Sequence, residues 1–104
     1  MTDYAKFDIT TVMGKSAFYD LYEPEVAFVM EQKSKLLMEL ESWLKESGLT
    51  QKQAAERLGV DQPRVSDIKN GKIARFTLDK LLELAARVGI RAEITVTRPA
   101  PHTA

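Results

Sequence analysis

One stretch, LTQKQAAERLGVDQPRVSDIKNG at residues 49–71, most constrains how this chain can fold. Thr50 followed three residues later by Gln53 forms a capping box, which predicts that a helix begins at this threonine. Gly59 predicts where that helix ends, because glycine adopts positive φ at little cost. Asp61 then predicts the N-cap of a second short helix. The stretch therefore predicts two short helices joined by one tight turn.

Apolar residues give each of these helices a buried face. Ala54, Ala55 and Leu58 repeat at helical spacing in the first helix, and Val65 and Ile68 do so in the second. The other positions of the second helix are polar, apart from one proline. The pattern therefore predicts a firmly held helix that presents a polar edge to the outside.

Two helices joined by a short glycine-containing turn form the helix-turn-helix, whose second helix enters the major groove of DNA. The run resembles the DNA-binding core of Cro/repressor-type regulators, the XRE family. The wider pattern, GLTQKQAAERLGVDQPRVSDIKNGKIARFTLDKLLELAARVGIRAEITV, resembles HigA-like antitoxins. A looser similarity through SAFYDLYEPE extends it upstream. The resemblance implies a DNA-binding regulator, and its HigA-like part implies that the protein also binds a small RNase toxin.

The fold class expected is mainly α: a Cro/repressor-like helix-turn-helix bundle of four to five helices with a C-terminal β-strand. We expect an N-terminal extension over residues 1–22, a DNA-binding domain over 23–91, a dimerisation strand over 92–98 and a flexible tail over 99–104. The extension is either a partner-binding segment or partly disordered. Within it, residues 6–12 alternate weakly, which is typical of a strand or of a tail that becomes ordered on a partner.

A long helix is expected before the motif, starting at Glu23-Pro24-Glu25 and ending at Gly48. Its apolar stripe is interrupted at Lys33, where a bend could occur. We expect this helix to pack over both motif helices. Upstream of it, Phe18 and Leu21 either extend the core or form a partner surface.

The C-terminal part predicts a contact between two copies of the chain. The helix capped by Thr77 carries more apolar surface than one face needs, so part of it is a candidate subunit interface. Residues 92–98 then alternate as a strand, and a lone strand leaves backbone groups unpaired. Its partner is either residues 6–12 or the same strand of a second subunit, which suits a two-fold dimer. The predicted dimer residues are Leu84, Val88, Ile94 and Val96.

Base reading is assigned to the second motif helix. The amide of Gln62 can pair with adenine, and Arg64 can pair with guanine or grip a phosphate instead; each base pairing supplies ~1–3 kcal/mol of discrimination. Ser66 and Asp67 are weaker candidates. Pro63 is expected to stiffen the first turn of the helix.

Phosphate contacts are assigned to the edges of the motif. Gln51 begins the first helix, where its side chain and nearby backbone N–H groups can fix the DNA backbone. Lys72 and Arg75 follow the second helix in a basic loop, where they can meet phosphates. Lys69, on the outward face at the end of that helix, is a further DNA-binding candidate. These four residues complete the predicted DNA-binding surface.

Charge is distributed unevenly, although the whole chain has a net charge of zero. Residues 48–76 hold six Lys and Arg against three Asp and Glu, whereas residues 1–47 hold five against nine. A basic centre beside an acidic N-terminal part favours a nucleic-acid partner.

The sequence lacks the groups of residues that a catalytic or metal site would need. The chain has no cysteine and one histidine, in its C-terminal tail, so we expect no cofactor, no metal site and no catalytic residues. No signal peptide or membrane span is recognisable, which favours a bacterial cytoplasmic protein.

The function expected is that of a homodimeric repressor on an inverted-repeat operator, and of the antitoxin in a HigBA-like pair. The alternative is a helical interaction module that retains the motif without binding DNA.

Overall fold

The computed structural model describes residues 15–100 of the chain, with side chains from Phe18 onward. This part is mainly helical, as predicted. Its elements are α1 (Lys15–Leu21), α2 (Pro24–Ser47), α3 (Gln51–Leu58), α4 (Gln62–Lys69), the 3-10 helix η1 (Ile73–Arg75) and α5 (Leu78–Arg87). The possible strand at residues 6–12 lies outside the described residues.

Helix α2 is the longest element and supports the others. It begins with Pro24 in its first turn and ends at Gly48, whose φ is 67°. The helix is continuous across Lys33. Packing of α2 over both motif helices was also expected, and α2 does pack against α4, as well as against α1, α5 and η1. Helix α3 packs against α4 and α5.

A single core joins the helices from α1 to α5. Its largest fully buried side chains are Phe18, Leu37, Leu40, Leu58, Val65, Ile68, Ile73, Leu81 and Leu84. The rings of Phe18 and Tyr22 are stacked with their centroids 6.5 Å apart. Helix α1 therefore packs into the domain through Phe18, while Leu21 beside it is exposed.

The predicted strand over residues 92–98 is not formed within the described part of the chain. Residues 91–100 have no regular secondary structure, and each of them is exposed. A strand requires a second backbone that accepts and donates its ladder hydrogen bonds. Alternation of apolar residues predicts the faces of such a strand, but it cannot supply the pairing backbone.

The four predicted dimer residues have different surroundings. Leu84 is fully buried in the core of its own chain, so its side chain leaves no surface for a second subunit. Its assignment to the dimer interface is therefore wrong, because part of the apolar surface of α5 packs against the core of the same chain. Val88 is half-buried. Ile94 and Val96 are 75% and 85% exposed.

Candidate nucleic-acid interface

Helix α3 begins at a complete capping box, as the sequence predicts. The N–H of Gln53 donates to Oγ1 of Thr50 at 3.1 Å, and the N–H of Thr50 donates to Oε1 of Gln53 at 2.9 Å. Gly59 ends the helix with a φ of 70°. The N–H of Val60 then donates to the carbonyl of Ala55 at 3.0 Å. These bonds fix the turn that leads into α4.

Helix α4 is held by its cap and by two core side chains. Oδ1 of Asp61 accepts a hydrogen bond from the N–H of Arg64 at 3.1 Å. Val65 and Ile68 are buried. Because these contacts fix one side of a helix of only eight residues, they also fix which side faces outward.

The outward side of α4 presents much of the predicted surface. Gln62, Pro63 and Lys69 are exposed. Ser66 is half-buried, and its hydroxyl accepts a hydrogen bond from Nδ2 of Asn70 at 3.3 Å. The amide of Gln62 is therefore at the surface, whereas the Ser66 hydroxyl already has a partner within the helix.

Arg64 makes three contacts within its own chain. Its Nη1 lies 3.1 Å from Oδ2 of Asp67 and 3.3 Å from the carbonyl oxygen of Arg75. Its guanidinium carbon lies 5.6 Å from the centroid of the Phe76 ring, within the range of a cation–π interaction. Neither sequence-based role for Arg64 anticipated these contacts. The spacing of three residues between Arg64 and Asp67 was the only local signal for them.

The basic turn after α4 lies beside the same helix. Arg75, on η1, has a side chain that is 60% exposed, and its Nη1 is 4.0 Å from Oδ2 of Asp67. Lys72 is half-buried. The structure thus brings Arg75 next to α4, while the carboxylate of Asp67 lies between the guanidinium groups of Arg64 and Arg75.

The predicted DNA-binding residues Gln51 and Lys69 line one cleft of about 280 Å³. Glu41 and Lys45 of α2 line the same cleft. Lys45 could not be predicted from the sequence, because no local motif connects the last turns of α2 with the helix-turn-helix. Its ammonium adds a second cation beside Lys69.

A sequence model of a family described as a helix-turn-helix domain matches residues 17–97, which is well over half of the chain. The chain belongs to the helix-turn-helix domain family. No curated protein matches it in sequence.

The family assignment confirms the predicted motif at the level of the helix-turn-helix and supports a DNA-binding regulator. The matched range begins within α1 and extends to residue 97. The family domain therefore includes most of α1 and most of the C-terminal segment as well as the two motif helices. Among the helices that the structure describes, none has the length and apolar character needed to cross a membrane.

Proposed function

We propose that this helix-turn-helix protein is a sequence-specific transcriptional repressor that binds operator DNA as a homodimer. The observation that carries the proposal is the exposed polar edge of α4, with Gln62 at its start and Lys69 at its end, beside the exposed cation Arg75. A firmly capped helix with this edge is suited to the major groove, and flanking cations are suited to phosphates.

Gln62 is proposed as the principal base-reading residue. Its side chain is exposed in the first turn of α4, where residues of a recognition helix meet base edges. A glutamine amide pairs bidentately with N6 and N7 of adenine. Gln51, by contrast, is exposed at the start of α3 and is proposed to contact the DNA backbone.

The experiment selects bound sites from random duplexes with the wild-type protein and with two matched variants. Gln62→Ala should remove the preference at one base pair of each half-site, with a loss of ~1–3 kcal/mol for the best sequence. Gln51→Ala should weaken binding to all sequences alike. A preference spectrum that is unchanged in Gln62→Ala would refute the base-reading assignment.

Dimerisation is proposed through the C-terminal segment. Ile94 and Val96 lie in a segment without regular secondary structure whose residues are all exposed, and Ile94 lines a groove of about 440 Å³. The groove is also lined by Phe28, Leu82 and Ile90. Covering this apolar surface with residues 92–98 of a second copy would bury it and give those residues a backbone to pair with.

Two subunits would place their α4 helices in successive major grooves, about 34 Å apart, on an inverted-repeat operator. Sedimentation equilibrium tests the dimer with Val96→Asp and the neighbouring Thr97→Asp, which lie on alternate faces of an extended chain. Val96→Asp should shift the protein toward monomer, and Thr97→Asp should do so much less. A monomeric wild-type protein at micromolar concentration would refute the dimer.

A role as the antitoxin of a toxin–antitoxin pair is proposed in addition to DNA binding. It is supported by the HigA-like sequence resemblance and by exposed apolar side chains near the N-terminal end of the described chain, Tyr19, Leu21 and Val29. Such a surface is suited to a protein partner. Co-expression with the product of the adjacent gene tests the proposal, since a toxin partner should co-purify and lose its RNase activity.

DNA binding itself is tested by its dependence on salt. Phosphate contacts predict that affinity for any duplex falls steeply as salt is raised. A protein that retained the motif only as an interaction module would show no salt-dependent binding to any duplex.

A further inference from the structure

The side chain of Arg64 is fixed against a rigid part of the core. Phe76, which lies under its guanidinium group, is 3% exposed and therefore does not move freely. The same guanidinium group donates to the backbone carbonyl of Arg75 at 3.3 Å. One side chain of α4 is thus tied both to the end of η1 and to the residue that follows it.

Asp67 completes this connection from the next turn of α4. Its side chain is 18% exposed, and its Oδ2 lies 3.1 Å from Nη1 of Arg64 and 4.0 Å from Nη1 of Arg75. The carboxylate therefore accepts from one guanidinium group and faces a second. A carboxylate held in this way has less capacity to accept a hydrogen bond from a base.

We infer that Arg64 and Asp67 are positioning residues, which tie η1 to α4 and so set the direction of the Arg75 side chain. This inference rests on the proposed DNA-binding function and deepens it. Arg75 then grips a phosphate from a fixed position, and direct base reading is left to Gln62. The assignment replaces both sequence-based roles of Arg64, as guanine reader and as phosphate contact.

The chemistry of the guanidinium group supports the assignment. A guanidinium ion presents several N–H donors in a plane and stacks on an aromatic face, so it can contact a carboxylate, a carbonyl and a ring together. An ammonium group is a point charge and cannot reproduce that combination. Lysine at position 64 should therefore fail to tie η1, although it would still be able to neutralise a phosphate.

The test uses Arg64→Lys, which keeps the charge, and Arg64→Met, which keeps an unbranched apolar side chain over Phe76. Arg57→Met, at an exposed position of α3, is the control for losing one cation from the motif. Two properties are measured on the full chain: amide hydrogen exchange at residues 72–76, and binding to selected and scrambled duplexes at several salt concentrations.

Both Arg64 variants should accelerate exchange at the amides of Arg75 and Phe76 by roughly fivefold, the factor expected for losing one net hydrogen bond. Both variants should weaken binding, and the factor should be about the same for the selected duplex as for the scrambled duplex, so that the base preferences are unchanged. Arg57→Met should leave the exchange at these amides unchanged.

Two results would overturn the inference. If Arg64→Met abolished the preference for guanine at one position and left exchange unaltered, Arg64 would be a base reader. If Arg64→Lys bound and exchanged like the wild type, Arg64 would act as a charge on a phosphate.

If the wild-type protein bound no duplex, the proposed function would fail, and with it the assignment of base reading to Gln62. The exchange measurement would then decide separately whether Arg64 ties η1 to α4.

Discussion

Nη1 of Arg64 lies 3.1 Å from Oδ2 of Asp67, one helical turn away on the helix proposed to enter the major groove. The pair places a carboxylate on the surface that would face phosphates. Because Asp67 also lies 4.0 Å from Nη1 of Arg75, its carboxylate faces the cation that is proposed to contact a phosphate.

Replacing Asp67 by Asn should raise the affinity for duplexes of any sequence by less than the loss of an equivalent surface carboxylate does. The variant removes a negative charge from the DNA-facing surface, which favours binding, but it also removes the carboxylate that holds Arg64 and faces Arg75, which loosens the proposed phosphate contact. Base preferences should not change. The free energy of unfolding should fall by at most about 1 kcal/mol, because the pair is only partly buried.

Glu56→Gln is the matched control for this variant, since Glu56 is exposed on α3 and the change in charge is the same. Binding to a random duplex is measured by fluorescence anisotropy as a function of salt. Asp67→Asn should gain less affinity than Glu56→Gln does. Equal gains would show that only overall charge matters and that Asp67 does not position Arg75.

The helix caps could be predicted from the sequence because their partners are close along the chain. Thr50 and Gln53 are three residues apart, and so are Asp61 and Arg64, whose N–H donates to the Asp61 carboxylate. Local spacing determines such bonds once a helix forms. The boundaries of α3 and α4 and the exposure of Gln62 and Lys69 followed from the same local rules.

The contacts of Arg64 with the turn after α4 could not be predicted, because they depend on how η1 folds back. Arg75 and Phe76 are more than ten residues further along the chain, and no periodic pattern links them to Arg64. The surroundings of Leu84 were misjudged for a related reason. Periodicity shows that a face is apolar, but it does not show whether the same chain or a second subunit covers it.

Thr50→Ala should lower the free energy of unfolding by ~1 kcal/mol, because the N–H of Gln53 loses its acceptor. Thr50→Ser keeps the hydroxyl and should lose much less. Since the two bonds of the box support each other, the loss in a Thr50→Ala/Gln53→Ala double variant should be smaller than the two single losses combined. Urea denaturation measures all four variants. A Ser variant as unstable as the Ala variant would contradict the cap.

Gly59→Ala should destabilise the protein more than Gly48→Ala. Both glycines have positive φ, at 70° and 67°, so alanine at either position incurs a backbone cost of ~1–2 kcal/mol. At Gly59, however, an added Cβ would lie 2.5 Å from Nη1 of Arg87, whereas nothing lies within 4 Å of the corresponding atom at Gly48. The difference should be modest, because the end of an arginine side chain can shift.

The role of Arg87 in that difference can be isolated with a double variant. Gly59→Ala should lower the free energy of unfolding by less in an Arg87→Ala background than in the wild type. Gly48→Ala should lower it by the same amount in both backgrounds. Thermal and urea denaturation provide the four comparisons. If the cost of Gly59→Ala were independent of Arg87, backbone conformation alone would account for it.

Lys33 should make the stability of the protein depend on pH in the alkaline range. Burial lowers the pKa of its ammonium group below the ordinary value of 10.5. Between the lowered pKa and 10.5 the unfolded chain therefore binds more protons than the folded one, so stability rises with pH across this window. Below the window both states carry the proton, and the half-buried charge lowers stability throughout the neutral range.

Lys33→Met should accordingly stabilise the protein at neutral pH. It should also reduce the rise in the free energy of unfolding between neutral and alkaline pH. The exposed Lys35, two residues further along α2, provides the control, because Lys35→Met removes the same charge from the same helix. Urea denaturation between pH 7 and about pH 11 measures both variants, the upper limit lying just beyond the ordinary lysine pKa. If the free energy of unfolding still rose with alkaline pH in Lys33→Met but no longer did so in Lys35→Met, the assignment of the rise to Lys33 would be wrong. A destabilised Lys33→Met at neutral pH would mean instead that the ammonium group makes favourable contacts that outweigh its burial.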